Sequence, residues 1–304
     1  MKKLLMTLVL LPLMAAAGDD YTWETQSNGD GTVTICGVIG AKPTGVLTIP
    51  ATCDGKTVTK VGVRGYSHED GSFANMGITG LVIPEGVTEL SDGAFHGCTK
   101  LKSVQIPESV KTIGRNAFEG CVGLSAIAIP CSVTSIGDRA FAGCYGHPDM
   151  QLKTFIVDKD NPVYSEIQGT ICSKDGSKLI VHPAGLRQVV IPESVTEIGA
   201  CAFCGCNWLL WVDIPNGVET IDEMAFADCD RLTTIRISQS VHMLGMSAFW
   251  QCLNLCSVFF EGDAPMAEDE WGPYDVYTYV YDGKSYVRKG TQGWDTDIPG
   301  MWRG

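Results

Sequence analysis

One pattern of 23 residues, repeated along most of the chain, constrains the possible fold more than any other feature of this sequence. It reads LKSVQIPESVKTIGRNAFEGC from Leu101 to Cys121 and returns, with substitutions, from Leu124, Leu209 and Leu232. Its phenylalanine recurs every 23 residues in two runs, each time with a cysteine three positions later: Phe95, Phe118 and Phe141, then Phe203, Phe226 and Phe249. Such a fixed period predicts stacked coils, each of which contacts only its neighbours.

Nine coils can be counted from the isoleucine of the IP pair and from the residues that take its place. These residues are Ile49, Ile83, Ile106, Ile129, Val157, Ile191, Ile214, Ile237 and Phe260. Most of the steps between them are 23 residues, one is 28 and two are 34. Each 34-residue step contains an Asp-Gly pair typical of a hairpin turn, in CDGKTV near Cys53 and in TICSKDGSKLIVHP from Thr170 to Pro183. The sequence therefore predicts two hairpin-like insertions in the stack.

The order of residue types within a coil indicates its backbone. Alternation in LxxVxIP turns Leu, Val and Ile to one side of a short strand, which ends at proline because proline has no N–H to donate. VxxIG adds two apolar residues and a glycine that permits a turn, and xxAFxGC reads as one short helical turn. Stacking such coils predicts a solenoid with a parallel β-sheet of about nine short strands, short helical turns, a horseshoe-like curvature and non-repeat caps at both ends.

The 13 cysteines are an odd number, and six of them follow the repeat: Cys98, Cys121, Cys144, Cys206, Cys229 and Cys252. This placement favours a buried row in the core, because cysteine is small and among the most buried residue types. Parallel Cβ directions in neighbouring coils disfavour successive disulfides, and any other pairing stays open. Cys201, Cys204 and Cys206 form CxxCxC, but no partner His or Cys pair lies at zinc spacing. Neither a metal site nor a cofactor is predicted.

The first 17 residues, MKKLLMTLVLLPLMAAA, have the features of a secretory signal peptide: a basic pair, a short apolar run and small residues before the expected cleavage. No other stretch approaches the length of a transmembrane helix. Export to the cell surface or the medium is predicted, and a periplasmic destination stays open. Loss of Lys2 and Lys3 takes the formal net charge from −13 to about −15. This acidity disfavours nucleic acid and anionic lipid as partners.

Two stretches, IPESVKTIGRNAFEGC and DKDNPVYSEIQGTICSKDGSKLIVHPAG, resemble the BspA-like, or Treponema-type, bacterial leucine-rich repeats. The resemblance covers roughly residues 32–262. It implies a leucine-rich-repeat solenoid in an exported, often surface-exposed protein that adheres to host proteins, other bacteria or extracellular matrix. The chain has no recognisable cell-wall sorting motif, so its mode of surface retention stays open.

The chain is accordingly divided into a signal peptide at 1–17, an N-terminal cap at 18–45, a solenoid at 46–262 with an irregular insertion at 145–185, and an aromatic-rich C-terminal cap or tail at 263–304. Within that tail, YTYVYDGKSYVR reads as a hairpin that turns at Asp282 and Gly283. A cap would cover the apolar end of the last coil. The alternative is an aromatic platform that stacks sugars.

Chemistry-bearing motifs are absent from the sequence: it has no GxSxG, GxGxxG, HExxH or P-loop. The five histidines, His68, His96, His147, His182 and His242, fall in different coils without a shared column. In DKDNP, Asp158 and Asp160 resemble the start of a calcium loop, but its glycine and distal glutamate are missing, which favours a plain turn. We therefore predict no enzymatic activity and no catalytic residues.

A binding surface is predicted on the concave face, where the strand positions between the inward-facing residues should point. Equivalent residues align along a solenoid, so one patch should combine the residue types enriched in binding hot spots with an aromatic neighbour. The predicted ligand-binding residues are Trp211, Asp213, Thr234, Arg236, Ser257 and Phe259. The predicted function is an exported or cell-surface module that binds an extracellular protein or matrix ligand, on a host or on another bacterium. The alternative is a carbohydrate-binding surface protein that uses the aromatic tail.

Overall fold

A computed structural model describes residues 21–62, 72–144 and 152–263, and beyond these only the backbone of three short strands. The predicted signal peptide and most of the 263–304 tail, including the turn at Asp282 and Gly283, lie outside the described residues. The chain forms two compact units, one ending at Gly169 and the other beginning at Thr170. The division into caps and solenoid and the horseshoe curvature remain predictions.

Short strands make up both units. The strands of unit one are β1 (Thr22–Ser27), β2 (Val33–Ile39), β3 (Thr44–Thr48), β4 (Thr52–Cys53), β5 (Lys56–Val61), β6 (Gly77–Val82), β7 (Glu89–Leu90), β8 (Ser103–Gln105), β9 (Thr112–Ile113), β10 (Ala126–Ile129), β11 (Ser135–Ile136), β12 (Thr154–Val157) and β13 (Tyr164–Ile167). Those of unit two are β14 (Thr170–Ser173), β15 (Lys178–Val181), β16 (Glu197–Ile198), β17 (Trp211–Ile214), β18 (Thr220–Ile221), β19 (Thr234–Ile237), β20 (Met243–Leu244), β21 (Ser257–Phe260), β22 (Met266–Ala267), β23 (Lys284–Val287) and β24 (Met301–Arg303).

A regular coil contains two strands. The first, here called the IP strand, runs up to the Ile-Pro pair, as β8 does. The second, the IG strand, has two residues and precedes the glycine of IG, as β9 does. In unit one the IG strands pair in parallel in the order β5-β7-β9-β11, and β2 and β1 extend this sheet. In unit two the order is β15-β16-β18-β20-β22, with β14 antiparallel to β15. This second row of strands was not predicted from VxxIG.

The IP strands do not form the predicted single sheet of nine. They pair in parallel as β3-β6-β8 and β10-β12 in unit one and as β17-β19-β21-β23-β24 in unit two. Residues 188–191, expected to form the strand of the sixth coil, carry none. The insertion accounts for the interruption, because the backbone N–H of Phe155 in β12 donates to the carbonyl of Gly169 at 2.9 Å. The edge of β12 thus pairs with chain from the insertion.

Both predicted hairpins are present. Strands β4 and β5 pair antiparallel, with Thr52 opposite Thr57 and Cys53 opposite Lys56. Their turn residues, Asp54 and Gly55, both have positive φ, as a two-residue hairpin turn requires. Strands β14 and β15 form the second antiparallel pair. Asp-Gly therefore marked the turn correctly in both insertions.

The predicted helical turn at AFxGC is wrong, and no helix is found in the part of the chain that the structure describes. Asn116 has φ 56° and Gly120 has φ 70°, and neither value is compatible with a right-handed helix. Alternate N–H groups donate to the next coil instead: Phe118 to the carbonyl of Ala140 at 2.8 Å, and Gly120 to that of Ala142 at 2.9 Å. The turns are thus joined to one another by hydrogen bonds between coils.

One turn residue offers a test of this backbone. Gln251 is exposed and has φ 58° at the position that Gly120 occupies in its own coil. A left-handed conformation is unfavourable for residues with a Cβ, so Gln251→Gly should raise the free energy of unfolding by about 1 kcal/mol. Guanidinium denaturation of the full chain measures the change. The reciprocal variant, Gly120→Ala, should lower it by a similar amount, and two changes of the same sign would contradict the assignment.

The predicted core rows of phenylalanine and cysteine are confirmed. In unit one Phe73, Phe95, Phe118 and Phe141 stack face to face at 5.5 to 5.7 Å between ring centroids. In unit two Phe203, Phe226 and Phe249 stack at 4.7 and 5.6 Å. All six repeat cysteines are buried. We call these rows the phenylalanine ladder and the cysteine ladder.

The cysteine ladder has a hydrogen-bonding role as well as a packing role. Each thiol donates to the backbone carbonyl of the ladder residue one coil earlier, as Cys121 does to Phe95 at 3.3 Å and Cys144 to Phe118 at 3.2 Å. Cys98, Cys121 and Cys144 are free thiols. Burial raises the pKa of the Cys98 thiol to about 11 and that of Cys144 to about 12. These thiols are therefore protonated at neutral pH, which makes them poor nucleophiles.

Candidate binding face

The structure brings the six predicted binding residues together on one side of three neighbouring strands. Parallel pairing of β17, β19 and β21 places them in two rows, Trp211–Thr234–Ser257 and Asp213–Arg236–Phe259. The residues between them, such as Val212 and Ile235, are buried in the core. We call the six residues the candidate binding face. That they bind a ligand remains a prediction.

Large exposed apolar side chains concentrate at this face and its borders. Trp211 is 43% exposed and Phe259 36%, while Leu210 beside Trp211 is 40% exposed and Val190 in the preceding coil 71%. The equivalent positions in unit one hold small or polar residues: Gly80, Ser103, Ala126 and Thr154 in one row, and Val82, Gln105, Ala128 and Ile156 in the other. Unit two therefore has the face with the stronger potential for apolar contacts.

Arg236 lies between two carboxylates. Its Nε is 3.7 Å from Asp213 Oδ1 and one terminal nitrogen is 3.9 Å from Glu261 Oε1, and all three side chains are more than two-fifths exposed. Exposed ion pairs at such distances contribute little to stability. The guanidinium can therefore exchange these partners for a ligand at small cost.

An arginine–tryptophan–arginine cluster at the margin of this face was missed by the sequence reasoning. The guanidinium carbon of Arg187 lies over the Trp208 indole at 5.1 Å from its centroid, and that of Arg231 at 4.8 Å. Trp208 and Arg231 hold equivalent positions in successive coils, immediately before the buried Leu209 and Leu232. This equivalence was available in the sequence as a signal.

His182 was also missed, because its column contains no other histidine. It takes the place of phenylalanine in the ladder: its ring lies 4.9 Å from that of Phe203, and its carbonyl accepts the Cys206 thiol. His182 is buried, and its Nδ1 lies 2.9 Å from Thr170 Oγ1. Its Nε2 has no hydrogen-bond partner among the described residues. Burial lowers the pKa of His182 to about 3, so the ring is neutral at pH 7.

The DKDNP segment forms a turn, as predicted. The Asp160 N–H donates to Asp158 Oδ1 at 2.8 Å. The Asn161 amide, which is fully buried, donates to the carbonyls of Pro130 and Val133 and accepts from the N–H groups of Val163 and Tyr164. The four hydrogen bonds attach the insertion to the neighbouring coil and explain the segment without a cation.

Glu119 shows how a strongly shifted carboxylate is used between coils. Burial alone would raise its pKa, but hydrogen bonds from His96 and Arg139, together with the charge of Arg139, lower it to about 2. The Arg139 guanidinium donates to Glu119 Oε1 at 2.6 Å from one coil further along. We interpret this carboxylate as a structural partner in the stack.

Other chemical sites were sought throughout the described residues. Across 21–62, 72–144 and 152–263, no three His, Cys, Asp or Glu side chains are grouped so that they could hold a metal ion. His68 and His147 lie outside these ranges. The same ranges contain no helix long and apolar enough to cross a membrane.

Comparison with known proteins identifies the repeat. A family model of the BspA-type leucine-rich repeat region matches residues 67–163 and 182–268 in 6 copies. Among curated protein sequences, none matches the chain. Several solved structures are similar to it at low sequence identity, and at such identities they show the fold alone.

Three of these structures are bacterial. The pneumococcal vaccine antigen PcpA is similar with a TM-score of 0.50 and 17% identity, over 90% of this chain and 93% of the antigen. A leucine-rich-repeat protein from Eubacterium ventriosum gives a TM-score of 0.48 at 19% identity, over 88% and 82% of the two chains. A leucine-rich cell surface protein from Faecalibacterium prausnitzii gives 0.41 at 21% identity, over 90% and 95%.

Proposed function

The chain belongs to the BspA-type leucine-rich-repeat family, and on that premise we propose that it is an exported or cell-surface binding module whose candidate binding face contacts an extracellular protein. The family points to protein binding or adhesion in general, and we place the contact on the face predicted to be concave. We propose binding in place of catalysis, because the described residues that carry chemistry serve the stack.

One observation carries this proposal: Trp211 and Phe259 are exposed on the same sheet face as Arg236. Tryptophan and arginine are enriched among the residues that dominate protein–protein binding energy. Neither Trp211 nor Arg236 packs in the core, so the fold does not account for their presence. Burial of an exposed indole by a partner would supply apolar contact area, and Arg236 would supply directional hydrogen bonds.

Replacement of Trp211 and Arg236 together by alanine should weaken binding of a protein partner by at least about 2 kcal/mol, because both contacts are lost at once. Thermal stability should stay nearly unchanged, since both side chains are exposed. The partner is first obtained by pulldown from a solubilised extracellular-matrix preparation, and its affinity for the wild-type and variant proteins is then measured by surface plasmon resonance.

The control is Ser103→Ala with Gln105→Ala, which alters the equivalent two positions in unit one and should leave the affinity unchanged. If both double variants bind like the wild type, the candidate binding face is not the contact.

Carbohydrate binding by the aromatic tail is the second candidate. The backbone of β23 pairs in parallel with β21, placing Tyr286 opposite Phe259, and that of β24 places Trp302 opposite Tyr286. This register favours a tail that extends the same sheet. If binding survives the change at Trp211 and Arg236 but is lost when the residues after Pro265 are removed from a still-folded protein, the tail is the binding element. A glycan array then tests whether its ligand is a sugar.

A further inference from the structure

The arginine–tryptophan–arginine cluster differs electrostatically from the other arginine sites. Five arginines have described side chains, and three of them, Arg115, Arg139 and Arg236, have a carboxylate oxygen within 4.0 Å. Among the described residues, Arg187 and Arg231 have no such partner. Their lack of a counter-charge stands out in a chain with 35 acidic and 22 basic residues.

The cluster also holds its two charges close together. Both guanidinium carbons lie within 5.1 Å of the same indole centroid, so they are separated by no more than about 10 Å, or one Debye length at 0.1 M salt. Arg187 and Arg231 are exposed, whereas Trp208 is half-buried and gives both a fixed surface. A guanidinium over an aromatic face keeps the N–H donors at its edge, where they match the two oxygens of a carboxylate.

Position links this cluster to the candidate binding face. Trp208 precedes Trp211 of β17 by three residues, and Arg231 precedes Thr234 of β19 by three. Three residues of chain span at most about 11 Å. A ligand segment lying on the candidate binding face can therefore reach the guanidinium groups with a neighbouring side chain.

We propose that Arg187, Trp208 and Arg231 form a carboxylate-binding site for an acidic segment of the protein partner that occupies the candidate binding face. The inference rests on the proposed function and adds the charge of the partner. Two observations favour an acidic polypeptide over a sulfated sugar. The guanidinium groups occupy the indole on which a sugar ring would stack, and the exposed Leu210 and Trp211 beside the cluster suit apolar side chains next to the acidic ones.

The test uses the full mature chain and a fluorescein-labelled oligoglutamate peptide of roughly 20 residues, a length that presents carboxylates over more than the width of the cluster. Anisotropy at low salt measures binding. The variant Arg187→Gln with Arg231→Gln should bind at least tenfold more weakly and lose most of the salt dependence, because two charged contacts are removed. The control variant Arg115→Gln, at a paired arginine of unit one, should bind like the wild type.

Two outcomes would overturn the inference. One is equal binding of the peptide to the wild type and to the Arg187→Gln, Arg231→Gln variant when circular dichroism shows both to be folded. The other is retention of heparin, but not of oligoglutamate, through these arginines, which would assign the site to sulfated glycans. The proposed function fails separately: partner binding that depends on Arg187 and Arg231 but not on Trp211 and Arg236 keeps the anion site and removes the face.

Discussion

Replacement of Phe118 by alanine is expected to lower the free energy of unfolding by about 3 to 5 kcal/mol. The ring is fully buried and lies between those of Phe95 and Phe141, at centroid distances of 5.5 and 5.7 Å. Its removal leaves a cavity inside a close-packed row, and the coils cannot collapse into it because hydrogen bonds between them set their spacing. Guanidinium denaturation followed by circular dichroism measures the loss.

Phe259→Ala is the matched control for this experiment. It removes the same side chain from a site that is 36% exposed, so the loss should stay under about 1 kcal/mol. A loss under about 1 kcal/mol for Phe118→Ala would show that the phenylalanine ladder is not a core element.

A decrease of pH from 7 to 5 is expected to destabilise the protein by about 2 kcal/mol through His182 alone. The folded-state pKa of this residue is about 3, whereas an unfolded chain has a histidine pKa near 6.5. Between these values the unfolded state binds a proton that the folded state does not. Stability therefore falls as the pH decreases below about 6.5 and continues to fall until about pH 3. The physical cause is burial of the ring with no hydrogen-bond acceptor at Nε2 among the described residues.

The variant His182→Phe separates this contribution from that of the carboxylates. Phenylalanine restores the ladder residue found in the other coils and cannot be protonated, so the variant should lack the 2 kcal/mol component while retaining the rest of the pH dependence. Denaturation midpoints of both proteins at pH 7 and pH 5 provide the measurement. His242→Phe, at an exposed position, should behave like the wild type. Identical pH profiles for the wild type and His182→Phe would refute the role of His182.

Local sequence patterns carried enough information to predict the coil positions, the buried phenylalanine and cysteine rows and the two Asp-Gly hairpins. Each of these features depends on residues that are close in the chain: the alternation in LxxVxIP selects the buried side of a strand, and Asp54-Gly55 adopts its turn by itself. The period then placed equivalent residues side by side, which is why Trp211, Thr234 and Ser257 could be assigned to one row before the strands were seen.

The features that were mispredicted or missed depend on hydrogen bonds and contacts about one coil away in sequence. AFxGC has the composition of a helical turn, but Phe118 and Gly120 donate to carbonyls 22 residues later, and the left-handed residues that permit this include Arg139 and Met224, which have no local preference for it. VxxIG is too short to announce a strand. His182 enters the phenylalanine ladder, and Arg187 reaches Trp208, only because the coils stack in register. The repeat therefore specifies which residues become neighbours, and stacking determines which of them exchange hydrogen bonds, share a ring face or lose contact with water.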